Sequence, residues 1–289
     1  WLTRLPDVLA SILLFLTGVK TISCIFPDRK FHIAAACFLA FCPYYIMSGR
    51  LALDCNLMLC CSAVSLLLLL KYIQTDKLRF LILCGISFGF TMYSYALSYF
   101  IVPIFLVLVT LYMLYTHKIT FPKAVLFAII VCVTATPVIL FACSLLFQWE
   151  PIHFLGFIIS PIASERMSDV GSSGFWENLT DIIKITLTHS FYVQDAVDKF
   201  YTLYPISIPF IILGFFYSTY EFINSIPKKS FHISSMFLFF YISGLITIGF
   251  TGTQYVYRAN SFFICYLYFW INGLVLTYNF LSKYHKPFI

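Results

Sequence analysis

The stretch "SGRLALDCNL" (residues 48–57) places a cation, a carboxylate and an amide, Arg50, Asp54 and Asn56, within seven residues of one another. Apolar runs flank it on both sides, at 31–48 and 57–73. Each approaches the roughly 20 helical residues that cross a hydrocarbon core. A polar turn between two such runs reads as a hairpin of membrane helices reversing at headgroup level. Ionisable groups there avoid the penalty of a few kcal/mol at mid-bilayer. Working outward, nine runs of this kind appear: 5–26, 31–48, 57–73, 80–96, 97–115, 124–147, 206–223, 231–250 and 261–280. The expected fold is an all-α polytopic bundle of about nine transmembrane helices. It divides into 1–147 (six helices), an extracytoplasmic loop with an amphipathic helix at 148–205, and 206–289 (three helices and a cytoplasmic tail).

The composition agrees with this class. Hydrophobic residues make up 61% of the 289 and charged residues only 10%, against about a quarter charged in soluble chains. Abundant Phe (33) and Tyr (20) suit aromatic belts at the interfaces. The net charge of +6 contains no basic block, so a nucleic-acid partner is not expected. Of ten cysteines, nine fall inside apolar runs and only Cys55 lies in a connection. They read as small hydrophobes rather than a disulfide framework. Without CxxC or zinc spacing, no metal and no cofactor are expected. The chain begins at Trp1, and its first run lacks a basic n-region and a small-residue cleavage site, so it reads as a fragment rather than a signal peptide.

Lysines and arginines segregate. Arg29, Lys30, Lys71, Lys77, Arg79, Lys118, Lys123, Lys228, Lys229, Lys283 and Lys286 fall on one side, in short loops or at helix ends. Arg4, Arg50, Arg166, Lys184, Lys199 and Arg258 fall on the other. The positive-inside rule puts the first set in the cytoplasm. The N-terminus of the chain is then outside and the C-terminus inside. Most acids collect on the outer side, among them Asp7, Asp54, Glu150, Glu177 and Asp181.

Within 148–205, "FWENLTDIIKITLTHSF" aligns Phe175, Leu179, Ile182, Ile183 and Leu187 on one helical face. Glu177 and Asp181 near its start suit the helix dipole. "NLT" (178–180) is formally a glycosylation sequon. His153 and His189 are isolated and lack ligand spacing. Thr134, Thr136 and Pro137 could kink the sixth run, yet no matching break appears in a second half, which disfavours a transporter repeat.

Two arginines stand out, each in a short outer connection. Arg258, in "QYVYRAN" (254–260), is followed two residues later by Asn260, directly before an apolar helix, as at 48–57. A guanidinium at this depth matches a phosphate bidentately and stays charged. Asn56 and Asn260 could add amide donors or cap helices. The competing explanation is that both arginines snorkel to headgroups, or that Arg50 pairs with Asp54. Tyr93, Tyr95 and Tyr99 in "FTMYSYALSY" (90–99) read as an aromatic belt or, alternatively, as a wall for a sugar or isoprenoid.

In order, "WLTRLP" (1–6), "SGRLALDCNL" (48–57), "GISFGFTMYSYALSYFIVP" (85–103), "LYPISIPFIILGFF" (203–216) and "YRANSFFI" (257–264) resemble bacterial glycosyltransferase family 39. These are multi-spanning enzymes of the protein-mannosyltransferase and aminoarabinose-transferase type, with the GT-C fold. The resemblance implies an enzyme that moves a sugar from a polyprenyl-phosphate donor to an acceptor hydroxyl (glycan, lipid or protein) at the outer membrane face. It assigns the donor phosphate to Arg50 and Arg258, with Asp54 and Asn56 orienting Arg50 and lining the cavity. The family's catalytic acidic pair precedes the segment resembled by "WLTRLP". The catalytic residues are therefore unassigned here and expected upstream of Trp1, leaving this piece inactive alone. The alternative is a non-catalytic lipid-phosphate-binding protein or a flippase or transporter.

Overall fold

Proline sets several helix boundaries in the computed structural model, which describes residues 4–50, 54–154, 156–159, 174–188, 201–251 and 255–284. Helices α1 (Leu5–Ile25), α7 (Phe121–Phe147) and α9 (Ile208–Ser225) each carry a proline in their first two positions. There the missing N–H is no loss and the fixed φ is already helical. Helix α2 (Arg29–Phe41) and α3 (Pro43–Arg50) are joined at a 51° bend. Pro43 cannot donate to the preceding turn, so the chain swings away at this point.

Helices α4 (Asp54–Thr75), α5 (Leu78–Thr91) and α6 (Ser98–Tyr115) follow, then α7. A two-stranded antiparallel hairpin, β1 (Ile152–Phe154) with β2 (Phe157–Ile159), pairs His153 with Ile158. After it come α8 (Phe175–Leu187), a 3₁₀ turn at Pro205–Ser207, α9, α10 (Ser234–Gly249), a second 3₁₀ turn at Val256–Ala259, and α11 (Asn260–Tyr284). The helices alternate in direction. One end of the bundle gathers Arg50, Asp54 and Asn260; the other gathers Lys123 bonded to Asp76 at 2.9 Å and Tyr112 bonded to Ser225 at 2.5 Å.

Helix α11 is the axis of the bundle. Its most apolar window is 78% buried and that of α4 is 67%, against 22% for α9 and 28% for α7. Exposed Val125, Ile129 and Val133 on α7, and Leu9, Ile12 and Leu16 on α1, give those helices the apolar outward face that lipid requires. Helix α7 runs unbroken through Pro137, with Thr134 and Thr136 hydroxyls donating to the carbonyls of Ile130 and Cys132.

The count of spans is lower than the nine expected. Six described helices are long and apolar enough to cross a membrane, or seven if the bent α2–α3 pair is one span. The runs at 80–96 and 231–250 form α5 and α10, of 14 and 16 residues, which reach only about 21 and 24 Å at 1.5 Å per residue. In the first case residues 92–97 leave the helix as a turn, with Ser98 Oγ donating to the Met92 and Tyr95 carbonyls. In the second, α10 is buried on nearly all sides and ends under α8, so protein rather than lipid meets its C-terminus.

The amphipathic segment is a packed roof. Helix α8 buries Asn178, Ile182, Ile185 and Thr186, while Leu179, Ile183 and Leu187 are only half-buried. The buried face is thus rotated toward two polar residues, because both have partners: Thr186 Oγ1 lies 3.1 Å from the Tyr266 hydroxyl, and Asn178 Nδ2 donates to the Gly249 carbonyl at 3.0 Å. That bond satisfies a carbonyl left open where α10 ends. Asn178 is 3% exposed, so the folded chain does not present the sequon. Asn178→Ala is expected to lower stability by about 1 kcal/mol, read as a fall in thermal midpoint, whereas Thr180→Ala, which also destroys the sequon, leaves it unchanged.

Candidate functional site

The bend at Pro43 determines where Arg50 sits. The Tyr44 N–H, displaced from helical pairing, donates to the Thr202 carbonyl at 3.1 Å, and Thr202 Oγ1 donates to the Ile185 carbonyl of α8. Helix α3 is thereby pinned to the roof at one end and presents Arg50 in its last turn at the other. Tyr45 O–H donates to the Phe263 carbonyl at 2.8 Å, and the Tyr44 ring stacks face to face on Phe263. This short helix is therefore clamped against the start of α11.

Asn260 joins the two arginine-bearing segments. Its Oδ1 accepts from the Tyr44 hydroxyl of α3, and its Nδ2 donates to the Cys55 carbonyl in the first turn of α4 at 2.6 Å. At 1% exposure the amide has no access to solvent, and both ends are used between helices. Asn56 works similarly: Ser48 Oγ donates to its Oδ1 at 2.8 Å, and its Nδ2 donates to the Ser48 carbonyl at 2.7 Å. Asn56 therefore closes the last turn of α3 onto α4. Both amides act as locks behind the arginines, not as donors facing a cavity.

Arg50 is exposed and forms no hydrogen bond or ion pair among the described residues. Asp54 opens α4, and its side chain lies outside what is described. Arg258 sits half-buried in the 3₁₀ turn directly before Asn260, its guanidinium carbon 5.4 Å from the Tyr255 ring centroid. That turn also stacks Tyr255 on Tyr257 with centroids 5.1 Å apart. A guanidinium over an aromatic face gains about 0.5–1 kcal/mol, which helps to orient it.

The tyrosines of the 93–99 turn part company. Tyr93, 45% exposed, donates its hydroxyl to the Thr134 carbonyl of α7 at 2.9 Å. Tyr95 and Tyr99 are half-buried and pack on the core. Tyr93 thus ties the turn after α5 to α7. Among the described residues no group of three or more His, Cys, Asp or Glu could hold a metal ion.

Sequence reasoning passed over Tyr44, Cys55 and Asp7. Tyr44 sits in an apolar run and Cys55 in a short connection, with nothing to mark either as the partner of a residue more than 200 positions away. Asp7 had a signal: it is the lone acid at the head of an apolar run. It is 8% exposed in the first turn of α1, where the helix dipole favours a carboxylate. One turn on, Ser11 touches α3, since a side chain at Gly49 would meet Ser11 Oγ at 2.9 Å.

The chain has a family likeness in its first part and a fold likeness over nearly all of its length. Residues 1–141 match the family described as dolichyl-phosphate-mannose-protein mannosyltransferase. The apo crystal structure of ArnT from Cupriavidus metallidurans is similar over 97% of this chain, with a TM-score of 0.57 at 12% identity. The chain spans about half (47%) of the length of ArnT. No curated protein matches it at the level of sequence.

Proposed function

We propose that the Arg50 end of the bundle binds the phosphate of a polyprenyl-phosphate sugar at the extracytoplasmic face, and that the chain belongs to an enzyme transferring that sugar to an acceptor hydroxyl on a glycan, lipid or protein. The observation that carries this reading is the Asn260 bridge, which ties the helix presenting Arg50 and the turn presenting Arg258 to one point. In the transfer, the acceptor oxygen forms a bond to the anomeric carbon as the bond from that carbon to the phosphate oxygen breaks. The electron pair stays on the phosphate. Two guanidinium groups aimed at that oxygen stabilise the charge as it develops, and their planar forks suit its geometry. The acceptor proton passes to a base to which no residue of this chain is assigned. The excess of lysine and arginine at the opposite end supports placing that end, with the C-terminus, in the cytoplasm.

The test is the affinity of a long-chain polyprenyl phosphate for the chain in nanodiscs, compared with Arg50→Gln and Arg258→Gln. Each substitution removes charge-assisted hydrogen bonds and is expected to weaken binding about 10- to 100-fold. Full affinity in both variants would overturn the assignment.

A further inference from the structure

Helix α7 serves as a ruler for depth. Lys123, near its start, bonds to Asp76 at the basic end of the bundle. Phe147, its last residue, lies about 36 Å further along the axis at 1.5 Å per residue. The hydrocarbon core is roughly 30 Å thick, so with Lys123 in one headgroup layer Phe147 reaches the other. Phe147 also continues the lipid-facing stripe of α7: it follows Ile129 by about five turns of 3.6 residues and is 65% exposed. Beyond it the chain turns back. Gln148 takes a left-handed conformation with φ of 50°, and the Trp149 N–H donates to the Ser144 carbonyl at 3.1 Å, a Schellman-type reversal. Trp149 thereby stacks on Phe147, with ring centroids 5.7 Å apart. Tryptophan concentrates at this depth in membrane proteins.

The hairpin that follows is apolar at its tip. Strands β1 and β2 pair Phe154 with Phe157 across Gly156, whose φ of 84° makes the turn. Phe157 is 73% exposed and Ile158 65%. Neighbours on a strand point to opposite faces, so one flat protein surface would not cover both. Between 148 and 160 the sequence holds a single formal charge, Glu150, at the base of the hairpin. Such a two-stranded unit is marginal in water by itself.

We propose that this hairpin is a membrane anchor. It lies beside α7 in the headgroup layer opposite Lys123, with Phe157 and Ile158 reaching the acyl chains. Its partner is the lipid surface, because the hairpin continues the lipid-facing stripe of α7 through Phe147 and Trp149. Each strand has one edge without a ladder partner among the described residues. Hydrocarbon does not tolerate such open backbone groups, whereas hydrated headgroups do. The backbone therefore stays at headgroup level and only side chains insert, as in interfacial helices. The anchor fixes the depth at which the 148–205 segment leaves the bundle, and it does not depend on the sugar-transfer reading.

The test places the photoreactive residue p-benzoylphenylalanine, one position at a time, at 157, at 158 and at 181. Position 181 lies on the outward polar face of α8, and all three are exposed, so the larger ring displaces no packed neighbour. The full chain is irradiated in nanodiscs of phosphatidylcholine and phosphatidylglycerol, and its intact mass is measured. The chain is expected to gain the mass of one phospholipid with the probe at 157 or 158 and to gain nothing with it at 181. No lipid adduct at either hairpin position would overturn the proposal. A covalent dimer would also overturn it, since the hairpin would then pair with a second copy of the chain. Equal lipid labelling at 181 would do the same, because the contact would not be particular to the hairpin.

Discussion

Gly214→Ala is expected to separate α9 from α11 and to lower the thermal midpoint of the protein by about 6–12 °C. A Cβ at Gly214 would overlap the Phe269 carbonyl, and one at Gly273 the Phe210 carbonyl. The two helices thus cross with their backbones in contact, as small residues permit in membranes. Because the obstruction is backbone, no rotamer change relieves it and the helices must move apart. Separation would also loosen the Asn272–Ser218 hydrogen bond, 2.9 Å long, and the edge contact of Phe215 with Phe269. Overpacking of this kind costs about 3 kcal/mol, and each kcal/mol shifts the midpoint by about 2–4 °C at this size. Gly174→Ala is the control, since its Cβ would meet nothing closer than 3.7 Å. An unchanged midpoint for Gly214→Ala would refute the close crossing.

Asn260→Leu is expected to damage stability and ligand affinity together. Leucine fills a similar volume but leaves the Tyr44 hydroxyl and the Cys55 carbonyl buried without their partner. At about 1–3 kcal/mol for each unsatisfied group, the loss amounts to about 2–6 kcal/mol. The substitution also unties α3 and α4 from the start of α11, so polyprenyl phosphate binding is expected to fall at least tenfold even well below the midpoint. Tyr44→Phe removes one of the two bonds and keeps the ring stacked on Phe263. Its effect should be smaller in both measurements. Asn260→Asp retains an acceptor for Tyr44 but turns a carboxylate toward the Cys55 carbonyl, and it is expected to resemble the leucine variant. Normal affinity in a folded Asn260→Leu protein would show that the bridge does not position the arginines.

Both predictions turn on contacts that no local pattern announces. Gly214 and Gly273 look alike in sequence to Gly156, which sits at a hairpin turn with φ of 84°. Only the approach of two helices distinguishes them. The roof helix shows the same divide. Its amphipathic period was legible, yet its buried face turned toward Asn178 and Thr186, because Gly249 and Tyr266 supply partners for them.

By itself, the sequence determined the membrane class, the all-helical architecture, the segregation of basic residues to one end, and the polar stations at 48–57 and 254–260. These follow from the transfer free energy of each side chain and from runs of residues close in the chain, so they are readable one segment at a time. The tertiary structure alone decided that α5 and α10 fall short of a full span, that the bend at Pro43 sets where Arg50 sits, and that Asn260 joins Tyr44 to Cys55. Those outcomes depend on which helices meet and at what angle. That is set by packing between residues 205 and 216 positions apart, a separation at which apolar runs, being interchangeable as lipid-soluble segments, carry no local record of their partners.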